Sequence, residues 1–278
     1  DEYYNWLRSA PTNILVSRQL DGELDIAWDE NLPRALGQSC VVYLARLHRP
    51  GQTRRVGLRF FLRPEVITER VERAVGRAEH GRTIEAFFEA CRGETNEAGP
   101  FPRFFRFIDE AIRSPGGATF PAVIADWVEG QRLDEYLAER CRQGERDSLR
   151  RAFNHWLNLL EQLKETGLTH GQLHPRHVIV TSSGEWRLVD YDASCVPGLE
   201  HRASAGISML PSPAQHPHSP SHVVFTPRLD TFPAVYFLAI LAALTDDPER
   251  LSRYAPRDVP SYLLISGRDL KCPQASPL

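Results

Sequence analysis

The alternation of apolar and polar positions changes character about halfway along the chain. Up to about residue 125, short runs rich in β-branched and aromatic residues dominate: 12–16, 24–28, 40–47, 54–62 and, after a polar interval, 104–108 and 122–127. Their period of two predicts strands, with Gly51 placed where the third and fourth runs need a hairpin turn. Between the two sets, residues 65–91 carry Val66, Val71, Val75, Ile84 and Phe88 among many charges, a helical pattern. Gly76 and Gly81 leave open whether this is one long helix or two short ones. The stretch 92–102 is polar and punctuated by Gly and Pro, which predicts a loop.

Past Gly130 the period becomes helical. A helix is predicted from near Leu133, and a stronger one over 150–166 through Phe153, Trp156, Leu157, Leu160 and Leu163. Residues 193–227 are dense in Pro, Ser and His, which predicts a long surface loop without regular structure. Residues 232–244 are apolar almost all round, which predicts a helix buried in a core. The pattern predicts an α+β protein: a mainly β first part with one major helix, then a mainly helical second part.

Composition narrows the possibilities. With 42% apolar residues, 25% charged residues and a net charge of −3, the chain has the balance of an ordinary globular protein, and nothing global suggests nucleic acid. No apolar run approaches the roughly 18 residues of a membrane span, and no signal-peptide pattern opens the chain. The expectation is a cytoplasmic protein. The five cysteines, Cys40, Cys91, Cys141, Cys195 and Cys272, are scattered and read as buried thiols rather than a zinc site or a disulfide framework. Of 33 basic residues only Lys164 and Lys271 are lysines.

One segment carries most of the chemical information. His170-Gly171-Gln172-Leu173-His174-Pro175-Arg176-His177 is followed by an apolar strand, the turn Ser182-Ser183-Gly184, a second strand and Asp190-Tyr191-Asp192. It resembles the catalytic loop and metal-binding segment of the protein-kinase-like superfamily, H-x-D-L-x-x-x-N followed by a hairpin and D-F-G or D-x-D. Ala35 to Ala45 resembles a worn glycine-rich loop and its strand, in which only Gly37 keeps the glycine spacing. Arg59 stands where the phosphate-binding lysine is expected, Asp126 to Gly130 resembles the hinge, and Asp230 the buried acidic anchor ahead of an apolar helix. Closer still, the chain resembles bacterial kinase-like proteins with a shortened second lobe, in Arg59-Phe60, Asp190-Tyr191-Asp192, Gln215-His216-Pro217 and Ser276-Pro277-Leu278. The resemblance implies a two-lobed fold, with an N-lobe over 1–128 and a truncated C-lobe over 129–278.

Phosphoryl transfer on such a fold needs a lysine on the phosphates, two metal-binding groups and a carboxylate facing the acceptor hydroxyl. At the carboxylate position stands Gln172, whose amide takes no proton at ordinary pH. At the metal-binding asparagine stands His177, a nitrogen ligand poorly suited to Mg²⁺. Arg59 replaces the lysine; it is able to fork onto phosphate, and equally reads as a charged residue on a half-exposed strand. Its acidic partner is one of Glu72, Glu79, Glu85 and Glu89. Gly37, Arg59, Asp126 and Val128 mark the degenerate nucleotide pocket. Asp190 is the one intact ligand, a weak candidate for a cation and more readily read as a capping or pairing group. His170, His174 and His177 read as structural and loop residues rather than a transition-metal cluster, and His216, His218 and His222 as a polar loop.

The resemblance therefore implies a pseudokinase: no resident cofactor, ATP bound weakly or not at all, and a scaffold or allosteric role toward another protein in a bacterial signalling assembly, with neither nucleic acid nor membrane as partner. The alternative is an atypical transferase or nucleotide sensor that uses a modified ATP pocket.

Overall fold

The computed structural model describes residues 23–26, 35–36, 40–61, 70–94, 99–113, 119–191, 194–199, 228–254 and 274. The expected strand at 12–16, Gly37, Asp192, the Gln215-His216-Pro217 element, most of the loop 193–227 and Ser276-Pro277-Leu278 lie outside them. The chain divides into two compact units, one of residues 1–96 and 102–127, the other of residues 97–101 and 128–278. The architecture is α+β, an antiparallel sheet followed by helices.

In the first unit the strands are β1 (Glu23–Ile26), β2 (Ala35–Leu36), β3 (Cys40–Arg49), β4 (Gln52–Phe61), β5 (Phe105–Arg113) and β6 (Thr119–Asp126). They form one antiparallel sheet in the order β1-β3-β4-β6-β5, with β2 also paired to β3. The β3–β4 hairpin turns at Gly51 and holds its register over its whole length. Tyr43 faces Leu58 and Ala45 faces Val56, and these four, with Leu47, Phe60 and Ile124, are buried. The intervening Val42, Leu44, Gly57 and Arg59 remain part-exposed, so the sheet has one dry face and one wetter one.

Helix α1 (Arg70–Glu94) is continuous. Of the two alternatives the pattern left open, the single long helix is the one found: Gly81 does not break it, and the reason lies in packing. A Cβ on Gly81 would stand 2.1 Å from the Phe107 ring of β5, so the missing side chain is the space that ring fills. Phe88 meets Phe105 at 5.3 Å between ring centroids, and Arg106 is gripped by Glu85 and Glu89 while Glu85 also accepts the Phe107 N–H at 2.8 Å. His80, on the same helix, is buried, and burial pushes its pKa down to about 4.

The second unit holds β7 (Gln131–Arg132), α2 (Leu133–Arg142), α3 (Arg146–Thr166), β8 (Val178–Val180), β9 (Trp186–Leu188), α4 (Thr231–Asp246) and α5 (Arg250–Tyr254). β7, β8 and β9 form a small antiparallel sheet. Gly130 precedes β7 because a Cβ there would come within 2.3 Å of the Val180 carbonyl oxygen. Helix α3 buries Leu149, Ala152, Trp156, Leu159 and Leu163 and ends at Gly167, a left-handed C-cap, with Lys164 exposed in its last turn. Trp156 meets Phe237 of α4 edge-on at 4.6 Å and donates its Nε1–H to the Ala234 carbonyl at 3.2 Å. Because α4 is apolar on nearly every side, it was expected to be buried all round; instead Ala234, Phe237, Ile240, Leu241 and Leu244 face inward and Val235 is 63% exposed.

No helix among the described residues is long and apolar enough to cross a membrane. Of the cysteines, Cys141 and Cys195 are buried and Cys91 is half-buried, all as free thiols, and burial raises the Cys141 thiol to about 11.

Helix propensity alone predicts that Gly81→Ala stabilises α1 by up to about 1 kcal/mol. The contact with Phe107 predicts the opposite sign, a loss of about 1–3 kcal/mol from overpacking, readable as a lower midpoint in urea.

Candidate functional site

The chemistry-bearing segment follows α3 directly. Gly167 stops the helix, and Thr169 then pairs with Cys195 through two backbone hydrogen bonds of 2.8 and 2.7 Å. The next two amides point at one carboxylate: Asp230, just ahead of α4, accepts the His170 N–H on Oδ2 and the Gly171 N–H on Oδ1 at 2.9 Å. Burial raises Asp230 to about 6, against the pull of these donors, which favour the ionised form. At neutral pH it is therefore mostly a carboxylate.

His170 is fully buried and donates Nε2–H to the Val189 carbonyl at 2.9 Å. Burial, with His177 nearby, pushes its pKa down to about 4, so the ring is neutral in the folded protein. His177 donates Nδ1–H to the Gln172 carbonyl at 2.8 Å, which leaves Nε2 directed to the Asp190 carboxylate 3.7 Å away. That distance is longer than a hydrogen bond and short enough for an ion pair when the ring is protonated. His174 caps the single 3-10 turn Pro175–His177 by accepting the Arg176 N–H on Nδ1 at 3.1 Å. Arg176 in turn reaches the buried carboxylate of Asp134 at the start of α2, which Arg132 also approaches at 3.3 Å.

Asp190 has a φ of +70°, the only non-glycine residue with a left-handed backbone among the described residues. Such a conformation costs about 1–2 kcal/mol and aims the carboxylate away from the course of an extended strand. Gln172, His177 and Asp190 are thus brought together on one short loop and strand pair. Each of the three histidine rings commits one nitrogen to a backbone group, and no group of three or more His, Cys, Asp or Glu arranged for a metal ion occurs among the described residues.

Arg59 and Asp126 belong to the first unit. Arg59 lies mid-strand on β4, opposite Val42 and Val123. Asp126 ends β6, where it pairs with Arg54 at 3.3 Å and accepts the Phe104 N–H at 2.8 Å, so its carboxylate ties strand ends together. Val128 belongs to the second unit and is part-exposed. Of the glutamates considered for Arg59, Glu85 and Glu89 engage Arg106, Glu79 is exposed, and the side chain of Glu72 lies outside the described residues. Residue spacing did not reveal the Arg176–Asp134 pair or the left-handed Asp190; both depend on backbone turns that no local composition encodes. No protein-family model and no curated protein sequence matches the chain.

The titration shifts set the pH response. His80 and His170, both lowered to about 4, stay neutral when folded while the unfolded chain takes up protons below about 6.5, so stability falls as pH drops from 6.5 towards 4. Asp230, raised to about 6, works the other way between 6 and its ordinary 3.8, where the folded state holds the extra proton. Two similar shifts outweigh one, so the melting temperature falls on acidification from pH 7 to 5. In His80→Gln the fall measured by calorimetry should be smaller by about 2–4 °C.

Proposed function

We propose that the chain is a pseudokinase, a protein-kinase-like domain with a β-rich first lobe and a shortened helical second lobe that acts by binding another protein rather than by transferring phosphate. The observation that carries this reading is Gln172. It lies on a loop whose backbone is pinned by Asp230 and whose buried His170 bonds the strand leading to Asp190, an arrangement in keeping with a kinase catalytic loop. On that loop the position facing an acceptor hydroxyl needs a carboxylate, and an amide supplies no base.

Two further substitutions act in the same direction. His177 spends Nδ1 on the Gln172 carbonyl and offers only a nitrogen where Mg²⁺ wants oxygen. Arg59 offers a planar fork in place of a compact ammonium. Loss of three unlike parts favours a scaffold or allosteric module, in a bacterial signalling assembly, over an atypical transferase. The partner is another protein, with no role for nucleic acid or membrane.

The deciding assay is ATP turnover and label transfer by the purified protein with Mg²⁺ and with Mn²⁺. The expected result is none; turnover that Asp190→Asn abolishes would overturn the reading. Gln172→Asp alone is expected to remain inactive, because the lysine and asparagine positions stay altered and such groups act as a set. Robust transfer by that single variant would show that the base was the only missing part.

ATP with Mg²⁺ is expected to bind in the millimolar range or weaker. Several charge-assisted contacts worth about 1.5–3 kcal/mol each are absent, enough to carry an ordinary micromolar affinity there. Residual binding, read by thermal shift, is expected to be insensitive to chelation of the metal. Tight, metal-dependent binding would instead make Asp190 a working ligand and the protein a nucleotide sensor.

A further inference from the structure

At the turn end of the β3–β4 hairpin, the alternation that buries Leu47 brings three more side chains to the same face. Leu47 pairs with Arg54 and Arg49 with Gln52, and directly opposed residues share a face. These four, with Arg103 and Phe104 from the segment entering β5, line a cavity of about 90 Å³. The guanidinium carbons of Arg49 and Arg54 lie 5.5 and 5.4 Å from the centroid of the buried Phe104 ring, whose π-face steadies both cations.

The charges around this cavity do not balance. Among the described residues, the carboxylate paired with its lining is Asp126, already shared between Arg54 and the Phe104 N–H. Arg49 Nε is buried without a hydrogen-bond partner, and neither Arg49 nor Arg103 makes an ion pair among the described residues. A buried N–H donor left unmade is costly, and guanidiniums gathered on one small void repel each other unless an anion sits between them.

We propose that this pocket binds a phosphoryl dianion, as free phosphate or as a small phosphate monoester. Among the described residues, three guanidiniums against one carboxylate leave two positive charges. A phosphate monoester carries about −1.5 to −2 near neutral pH and would neutralise them, whereas a lone carboxylate would leave one uncompensated. The guanidinium fork matches phosphate oxygens in pairs, and the Gln52 amide adds a neutral donor at the rim. The pocket lies wholly within the first unit and is independent of the loop that carries Gln172.

Calorimetric titration of the full chain with inorganic phosphate, glycerol phosphate and acetate at low ionic strength tests this. One saturable phosphate site is expected, with acetate much weaker. Arg49→Gln and Arg103→Gln should each weaken phosphate by about tenfold or more, the loss expected for one charge-assisted contact. Arg46→Gln, an exposed position on the opposite face of β3, should change it less than twofold. Circular dichroism checks the fold of each variant, and should Arg49→Gln fail to fold, Arg103→Gln decides, since that side chain is exposed. Tighter glycerol phosphate assigns the site to an ester, equal affinities to free phosphate. Absence of saturable phosphate binding, binding that survives Arg103→Gln, or an equal loss in Arg46→Gln would overturn the proposal.

Discussion

The second unit is organised around one part-buried carboxylate. Asp230 accepts two consecutive amide N–H groups from a segment distant in sequence, and the same few residues begin α4, whose Ala234 carbonyl takes the indole N–H of Trp156. Three pieces are thereby fixed at once: the long helix α3, the loop that follows it and the apolar helix α4. An apolar residue in place of Asp230 would strand two inward-facing N–H groups at about 1–3 kcal/mol each. The rest follows outward from that constraint. With the His170 backbone held, its ring meets the Val189 carbonyl, and Val189 in turn donates its N–H to the His177 carbonyl at 2.9 Å, which sets where Asp190 turns.

Among the described residues, the cationic side of the other ion pairs is mostly a guanidinium. Arg106 bridges Glu85 and Glu89 on successive turns of α1, Arg176 and Arg132 converge on Asp134, and Arg140 grips Glu145 where α2 gives way to α3. A flat fork with five donors bonds two acceptors at once, which suits pairs that must fix direction as well as charge. Many of these pairs are part-exposed, so each adds little to stability alone. Their contribution is orientation: Arg106 sets α1 on β5, and Arg176 sets the turn after His174 on α2.

Much of this was legible from residue patterns, and the misses have physical causes. The period of two marked β3, β4, β5 and β6, and the helix expected near Leu133 starts there. Helix α3 begins at Arg146, a few residues earlier than its apolar stripe, because polar contacts among Glu145, Ser148 and Arg140 start it before the stripe does. Gly81 left one helix or two open because propensity is a local quantity, whereas its value is set by a ring on another element. The outward face of α4 was missed because apolar content counts side chains and says nothing about which flank is covered. At the site, the resemblance to a kinase-like motif singled out His170, Gln172, His177 and Asp190, yet tautomers, the committed ring nitrogens and the sign of φ at Asp190 arise only once the chain is folded.

The near-absence of lysine has a consequence for how such a protein can be regulated. Lysine acetylation and ubiquitin transfer onto lysine require a primary amine, and guanidinium does not serve in its place. Lys164 and Lys271 are the only side-chain amines in the chain, and Lys164 stands exposed on the last turn of α3, next to the glycine that ends it. The entire first unit, with its sheet and its cluster of arginines, is mute to that chemistry. Any covalent signal written on lysine must be written in the second unit, at Lys271 or at Lys164, the latter a few residues upstream of the loop that Asp230 holds in place.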